Sequence, residues 1–194
     1  MHRTLFGFIL FVLSASLSAA TQTNAWDVKQ LMQGLGQVKA AKATFVERKY
    51  MNILNHPLES SGTLVYTAPD RLEKHILLPK SESMILDRDK VTLENKSKNQ
   101  RRTLVLQDYP VIQVFIESIR STLAGDLETL NRFYLVNLEG NPDQWRLLLK
   151  PSKQAMQDIV SEIRISGNKN RIGTIEIIEA QGDRSVMTIT EEGQ

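Results

Sequence analysis

Cysteine is absent from all 194 residues. Disulfides, catalytic thiols and thiolate metal sites are excluded together, and the fold must hold by packing alone. Histidine is scarce: there are 3, of which His2 lies in the extreme N-terminal segment. His56 and His75 stand without a second histidine at ligand spacing, so neither a metal nor another cofactor is expected. The triplet Asp87-Arg88-Asp89 reads as a hairpin turn with solvated charges rather than a metal-binding pair. No serine occupies a G-x-S-x-G elbow and no glycine loop would cradle a phosphate, so no enzyme is expected, a lipid hydrolase being the remaining catalytic alternative. An excess of one charge is also missing, with 24 Lys and Arg against 22 Asp and Glu. That balance is no nucleic-acid footprint.

Long apolar runs are missing too, except at the very start. His2 and Arg3 form a short basic beginning, Leu5 to Leu17 is almost unbroken in its hydrophobicity, and Ser18 and Ala20 are small residues suited to cleavage after Ala20. These three parts make residues 1–20 a secretory signal, with a cut as late as residue 25 as the alternative. The run is shorter than the roughly 20 residues of a membrane anchor, and without cysteine nothing can receive a lipid at the cut. The expected product is a soluble, monomeric protein of a bacterial periplasm. Residues 21–194, about 170 in number, suit one domain with a substantial core.

Within the mature segment, Trp26 to Lys39 predicts an amphipathic helix, because Val28, Leu31, Met32, Leu35 and Val38 recur at three- and four-residue spacing. Short apolar segments separated by turn residues then predict strands over 43–52, 62–67, 72–78, 83–87, 90–94 and 102–107, and again over 132–139, 145–150, 159–166, 172–180 and 184–190. Between the two groups, Pro110 to Ala124 predicts a second helix, opened by proline and closed by Gly125. Its residues Val111, Ile112, Val114, Phe115, Ile116, Ile119 and Leu123 cover an arc of roughly 200°, about twice what one sheet face requires. A short helix over 126–131 follows it. Some strands are apolar on both sides, as in Phe133 to Leu138 and Trp145 to Leu149. The expected architecture is mainly β with helices (α+β): one long curved antiparallel sheet, helices against its concave side, and apolar volume between. Periodicity leaves open whether that volume is a filled core or a ligand cavity.

The order of these signals resembles the LolA-type outer-membrane lipoprotein carriers. The resemblance is carried by Ala43-Thr44-Phe45-Val46-Glu47, by Ser60-Ser61-Gly62-Thr63-Leu64 with Pro69 and Leu72, by Trp145-Arg146-Leu147-Leu148-Leu149-Lys150-Pro151, and by Gln181-Gly182-Asp183 near the end. It implies an incomplete barrel with N-terminal and central helices as a lid over a hydrophobic cavity. Family members carry arginine before the first turn proline, where this chain has Ala68, and they continue past its last strand. The chain therefore resembles a divergent member, handling a lipid or lipid-linked product.

The lid and cavity so implied involve Val111, Ile112, Phe115, Ile116, Ile119 and Leu123 of the central helix, with Phe45, Leu64, Leu72 and Leu147 of the sheet. Lys96, Lys98, Arg101 and Arg102 lie in a stretch without acidic residues that would dock lipid head groups or an acidic partner. The expected function is a periplasmic carrier of acyl chains, with a lipid or acylated protein as cargo, an inner-membrane exporter as donor and an outer-membrane acceptor. An envelope sensor or adaptor on the same fold is the alternative.

Overall fold

The computed structural model describes residues 26–192. The expected export signal and its cleavage sites lie outside the described residues. Helix α1 (Val28–Leu35) opens on a capping box: the Asp27 carboxylate accepts from the Gln30 backbone N–H while the Gln30 side chain accepts from the Asp27 N–H. Its buried side carries Leu31, Met32 and Leu35. The helix ends at Gly36, earlier than the apolar spacing predicts, and by Ala40 the chain is already paired with Thr67 in the sheet.

Among the described residues eleven strands follow: β1 (Ala40–Tyr50), β2 (Leu58–Thr67), β3 (Arg71–Leu78), β4 (Glu82–Asp87), β5 (Lys90–Asn95), β6 (Gln100–Val105), β7 (Tyr134–Asn141), β8 (Gln144–Pro151), β9 (Val160–Asn168), β10 (Arg171–Glu179) and β11 (Arg184–Glu191). Helices α2 (Pro110–Ala124) and α3 (Leu127–Phe133) join β6 to β7, and one turn, α4 (Gln154–Gln157), lies between β8 and β9. Every predicted strand is present, although α3 takes Arg132 and Phe133 from the expected start of β7, and α4 was not expected. All the strands form one antiparallel sheet in the order β6-β5-β4-β3-β2-β1-β11-β10-β9-β8-β7. Since β6 and β7 are its two edges, the sheet curves without closing.

Alternation gives this sheet one helix-covered face and one wet face. A cross-strand row on the covered face runs Ala43, Leu64, Lys74, Met84, Leu93, Arg102, and another runs Leu147, Ile165, Ile175, Met187, Glu47. The opposite face carries ion pairs such as Arg48 with Glu59 and Arg164 with Glu176. Where strands looked apolar on both sides, the second side is not core: Leu135 is 69% exposed there. A close approach also requires glycine at Gly62, where a Cβ would stand 1.8 Å from the His75 carbonyl oxygen, beside a register shift between β2 and β3.

The described part of α2 crosses the covered face and touches two separate clusters. Beneath α1 and α3, Leu130, Tyr134, Trp145, Leu147, Leu149, Ile163 and Ile165 form a tightly filled core. At the other side of the sheet Ile116 joins Leu86, Val91 and Leu106. Phe115 packs against both. The ends of α1 and α2 meet at glycines: Gly125, at φ 72°, closes α2 in the left-handed region, and a Cβ on it would stand 2.2 Å from the Met32 carbonyl oxygen.

Candidate functional site

Between the two clusters the sheet and α2 do not meet, and they enclose a cavity of about 980 Å³ open to solvent. Its roof is Phe115, Ile119 and Leu123 of α2, with Leu35 and Val38 beside them. Its floor is drawn from β1 to β5 and from β10 and β11, including Ala43, Leu64, Leu72, Met84, Ile175 and Ile189. The question that periodicity left open has both answers: the β7–β9 half is filled core, and the centre is a hollow.

The expected site residues separate accordingly. Phe115, Ile119, Leu123, Leu64 and Leu72 line the cavity. Ile116 is buried in the smaller cluster, and Ile112 is 40% exposed. Leu147 is fully buried in the filled half. Phe45 is buried on the same sheet face, its ring covered by the Lys74 ammonium at 5.0 Å from the centroid. The side chain of Val111 lies outside the described residues. Arg101 and Arg102 border the cavity on the edge strand β6, whereas Lys96 and Lys98 stand exposed in the turn before it.

The inner surface of α2 is only partly the apolar stripe. Ser118, Ser121 and Thr122 are buried there, and their small size suits the close approach of α1 and α3. Two of them satisfy their hydroxyls on the helix itself: Ser118 donates to the Phe115 carbonyl at 2.6 Å and Thr122 to the Ser118 carbonyl at 2.6 Å. Tyr134 donates to the Val114 carbonyl at 3.3 Å, and burial pushes its phenol up despite the Ser118 hydroxyl. On the other flank Arg120 donates to the Arg88 carbonyl at 2.9 Å and pairs with Glu117, tying α2 to the β4–β5 turn.

Polar groups interrupt the apolar lining, several of them at its rim and three in its wall: Glu47, Lys74 and Tyr66. Lys74 donates to Glu47 at 2.5 Å, and the Ser185 hydroxyl donates to the other Glu47 oxygen at 2.6 Å. Some six residues back along β1, about 20 Å at strand rise, Ala41 faces Tyr66. The Tyr66 hydroxyl is buried in the wall and has no partner among the described residues. Sequence reasoning missed Tyr66, Glu47 and Lys74, although strand alternation from Ala43 and from Leu72 would have put the last two on the covered face.

Burial alone would raise the Glu47 carboxyl, but hydrogen bonds from Lys74 and Ser185 and the Lys74 charge outweigh it, holding it below the ordinary carboxylate range. A carboxyl depressed on folding contributes stability that is present above its unfolded pKa and lost as pH falls through its folded one. Lys74→Met is therefore expected to cost about 2 kcal/mol near neutral pH, discounted from a fully buried pair. That gap should narrow in acid. Urea midpoints of the two proteins at about pH 7 and about pH 3 check it; a gap independent of pH would remove the pair as a stabilising feature.

The sequence matches the family described as outer membrane lipoprotein carrier protein LolA-like over residues 19–191. No curated protein matches it. Among solved structures, a LolA superfamily protein from Nitrosomonas europaea is similar at 9% identity and a TM-score of 0.46, covering 86% of this chain and 92% of that one. A chain of the Pseudomonas aeruginosa MucA/MucB complex is similar at 14% identity and a TM-score of 0.48, covering 85% of this chain and 56% of that one.

Proposed function

We propose, on the premise that this chain belongs to the LolA-like family of outer membrane lipoprotein carrier proteins, that it is an exported carrier which shelters the acyl chains of a lipid, lipid-linked product or lipoprotein in its central cavity. The observation that carries this reading is the cavity itself, about 980 Å³ of space with a mainly aliphatic lining, beside a core that is otherwise closely filled. Ligand sites are typically about 300–1,000 Å³, apolar, with a few placed polar groups. Tyr66 and the Glu47–Lys74 pair are such groups, available to the hydrogen-bonding linkage or head of an amphiphile.

The energetics suit transfer. Burying a methylene is worth about 0.8 kcal/mol, so a dozen gain roughly 10 kcal/mol over water, and a bilayer offers about the same. A carrier whose cavity only matches the membrane can both load and release. Periplasm-purified protein is expected to retain extractable lipid in native mass spectrometry, and the delipidated protein to bind a fluorescent fatty-acid probe with low-micromolar affinity, about −8 kcal/mol. Folded, delipidated protein that binds no acyl probe would overturn the carrier reading. A stable protein partner in its place would favour an adaptor.

A further inference from the structure

Exposed apolar side chains gather at one end of the sheet. The β1–β2 turn carries Ile53 at 85% exposure and Leu54 at 42%, Leu58 follows at 55%, and the β3–β4 turn is flanked by Leu77 at 58% and Leu78 at 64%. Register places both turns at the same end, because Lys49 pairs with Leu58 and Ser61 with Leu78. The β5–β6 turn is there too, since Ile76 pairs with Glu82 and Glu82 with Asn95. Around these tips stand exposed cations: Lys80, Lys96, Lys98, Arg101 and Arg102.

The three segments 51–58, 77–81 and 96–102 contain no carboxylate at all. Neighbouring acids are engaged or faced by base: Glu59 pairs with Arg48, Asp183 of the β10–β11 turn accepts from the Asn52 backbone N–H at 2.9 Å, Glu82 accepts from Asn95 at 2.8 Å, and Glu94 stands opposite Arg101. Aliphatic tips ringed by cations match the chemistry of an anionic bilayer surface, with apolar side chains entering the acyl boundary and basic ones meeting phosphates. A soluble protein partner would not require these three turns all to lack carboxylates. The cavity runs along the sheet from Ala41, Asn170 and Glu191 to this same end, where Ile76, Glu82, Asn95 and Arg102 line it.

We infer that the β1–β2, β3–β4 and β5–β6 hairpin tips form a docking surface for an anionic phospholipid bilayer and set the cavity mouth against it. The surface rests on the carrier reading for its purpose, and it gives that reading a physical route: cargo passes between bilayer and cavity without crossing open water.

Flotation with phosphatidylglycerol and phosphatidylcholine vesicles tests it on periplasm-purified protein. Wild type is expected to bind phosphatidylglycerol vesicles, at least about tenfold more weakly with phosphatidylcholine or in high salt. Ile53→Asp/Leu78→Asp should weaken that binding by more than about tenfold, and Lys96→Glu/Lys98→Glu by about tenfold, as charge reversal at a lipid surface implies. Because all four side chains are exposed, both variants should keep the wild-type melt and the wild-type titration with the fatty-acid probe in solution. Wild type that does not float with phosphatidylglycerol, or an Ile53→Asp/Leu78→Asp protein that floats as well as wild type, would overturn the docking surface. Acyl binding that persists in either case leaves the carrier reading standing, and vesicle binding without acyl binding removes the carrier reading alone.

Discussion

Ile116→Asp is expected to abolish cooperative folding, while Ile119→Asp, three residues further along the same helix, leaves the protein folded and weakens acyl binding in its cavity. Ile116 is 6% exposed, and the buried partners around it, Leu86, Val91 and Leu106, are all apolar. A carboxylate there is buried among apolar side chains, and the penalty is expected to exceed about 3 kcal/mol, a large part of a domain's whole stability. Ile119 also belongs to α2, but it is half-buried and borders the hollow. Its aspartate can turn toward cavity water, so the cost should stay near 1–2 kcal/mol while acyl binding falls by more than about tenfold. Leu123→Asp should behave like Ile119→Asp. Thermal melts and probe titrations on the three variants check this; equal loss of the melting transition in all three would make α2 an ordinary core helix throughout.

Trp145→Ala carries the other large effect, expected at about 3–5 kcal/mol. The indole is 1% exposed in the filled half of the sheet, and its N–H donates to the Lys169 carbonyl at 2.8 Å. Its ring also occupies the space above Gly167, where a Cβ would stand 2.4 Å from it. Truncation leaves a void among closely packed side chains and removes the indole donor to the Lys169 carbonyl between β9 and β10. The cavity lies on other strands, so the surviving folded fraction at low temperature should bind the acyl probe with unchanged affinity. Chemical denaturation measures the first part and a titration below the melting range the second. A stability loss under about 1 kcal/mol would show that the filled half is not packed as described.

Much of this molecule is legible in its sequence. Period-two alternation and turn residues sufficed for the strands, since each signal is local: Pro69 and Asp70 end β2, and Asp87 to Lys90 turn β4 into β5. The helix Pro110 to Ala124 was legible for the same reason, with proline at its start and Gly125 at its end. Its buried side was not. Ser118, Ser121 and Thr122 look polar in a sequence, yet two of them return their hydroxyls to carbonyls of their own helix, so they can lie inside at little cost.

The strands, the helices other than α4, the antiparallel character of the sheet and the family follow from local patterns and from their order along the chain. Which apolar residues touch one another and which leave a gap depends on how distant segments pack. Ile116 and Ile119 are alike as isolated residues; one is sealed by β4 and β5 and the other overhangs the hollow because α2 bridges two halves of the sheet without reaching its floor. Glu47 and Lys74 are 27 residues apart and become a pair through the registers of β1 with β2 and β2 with β3. The apolar tips around Ile53 and Leu78 likewise share one end through those registers. Contacts between distant segments depend on register and on the curvature of the whole sheet, and a one-residue slip would turn each of these side chains to the other face.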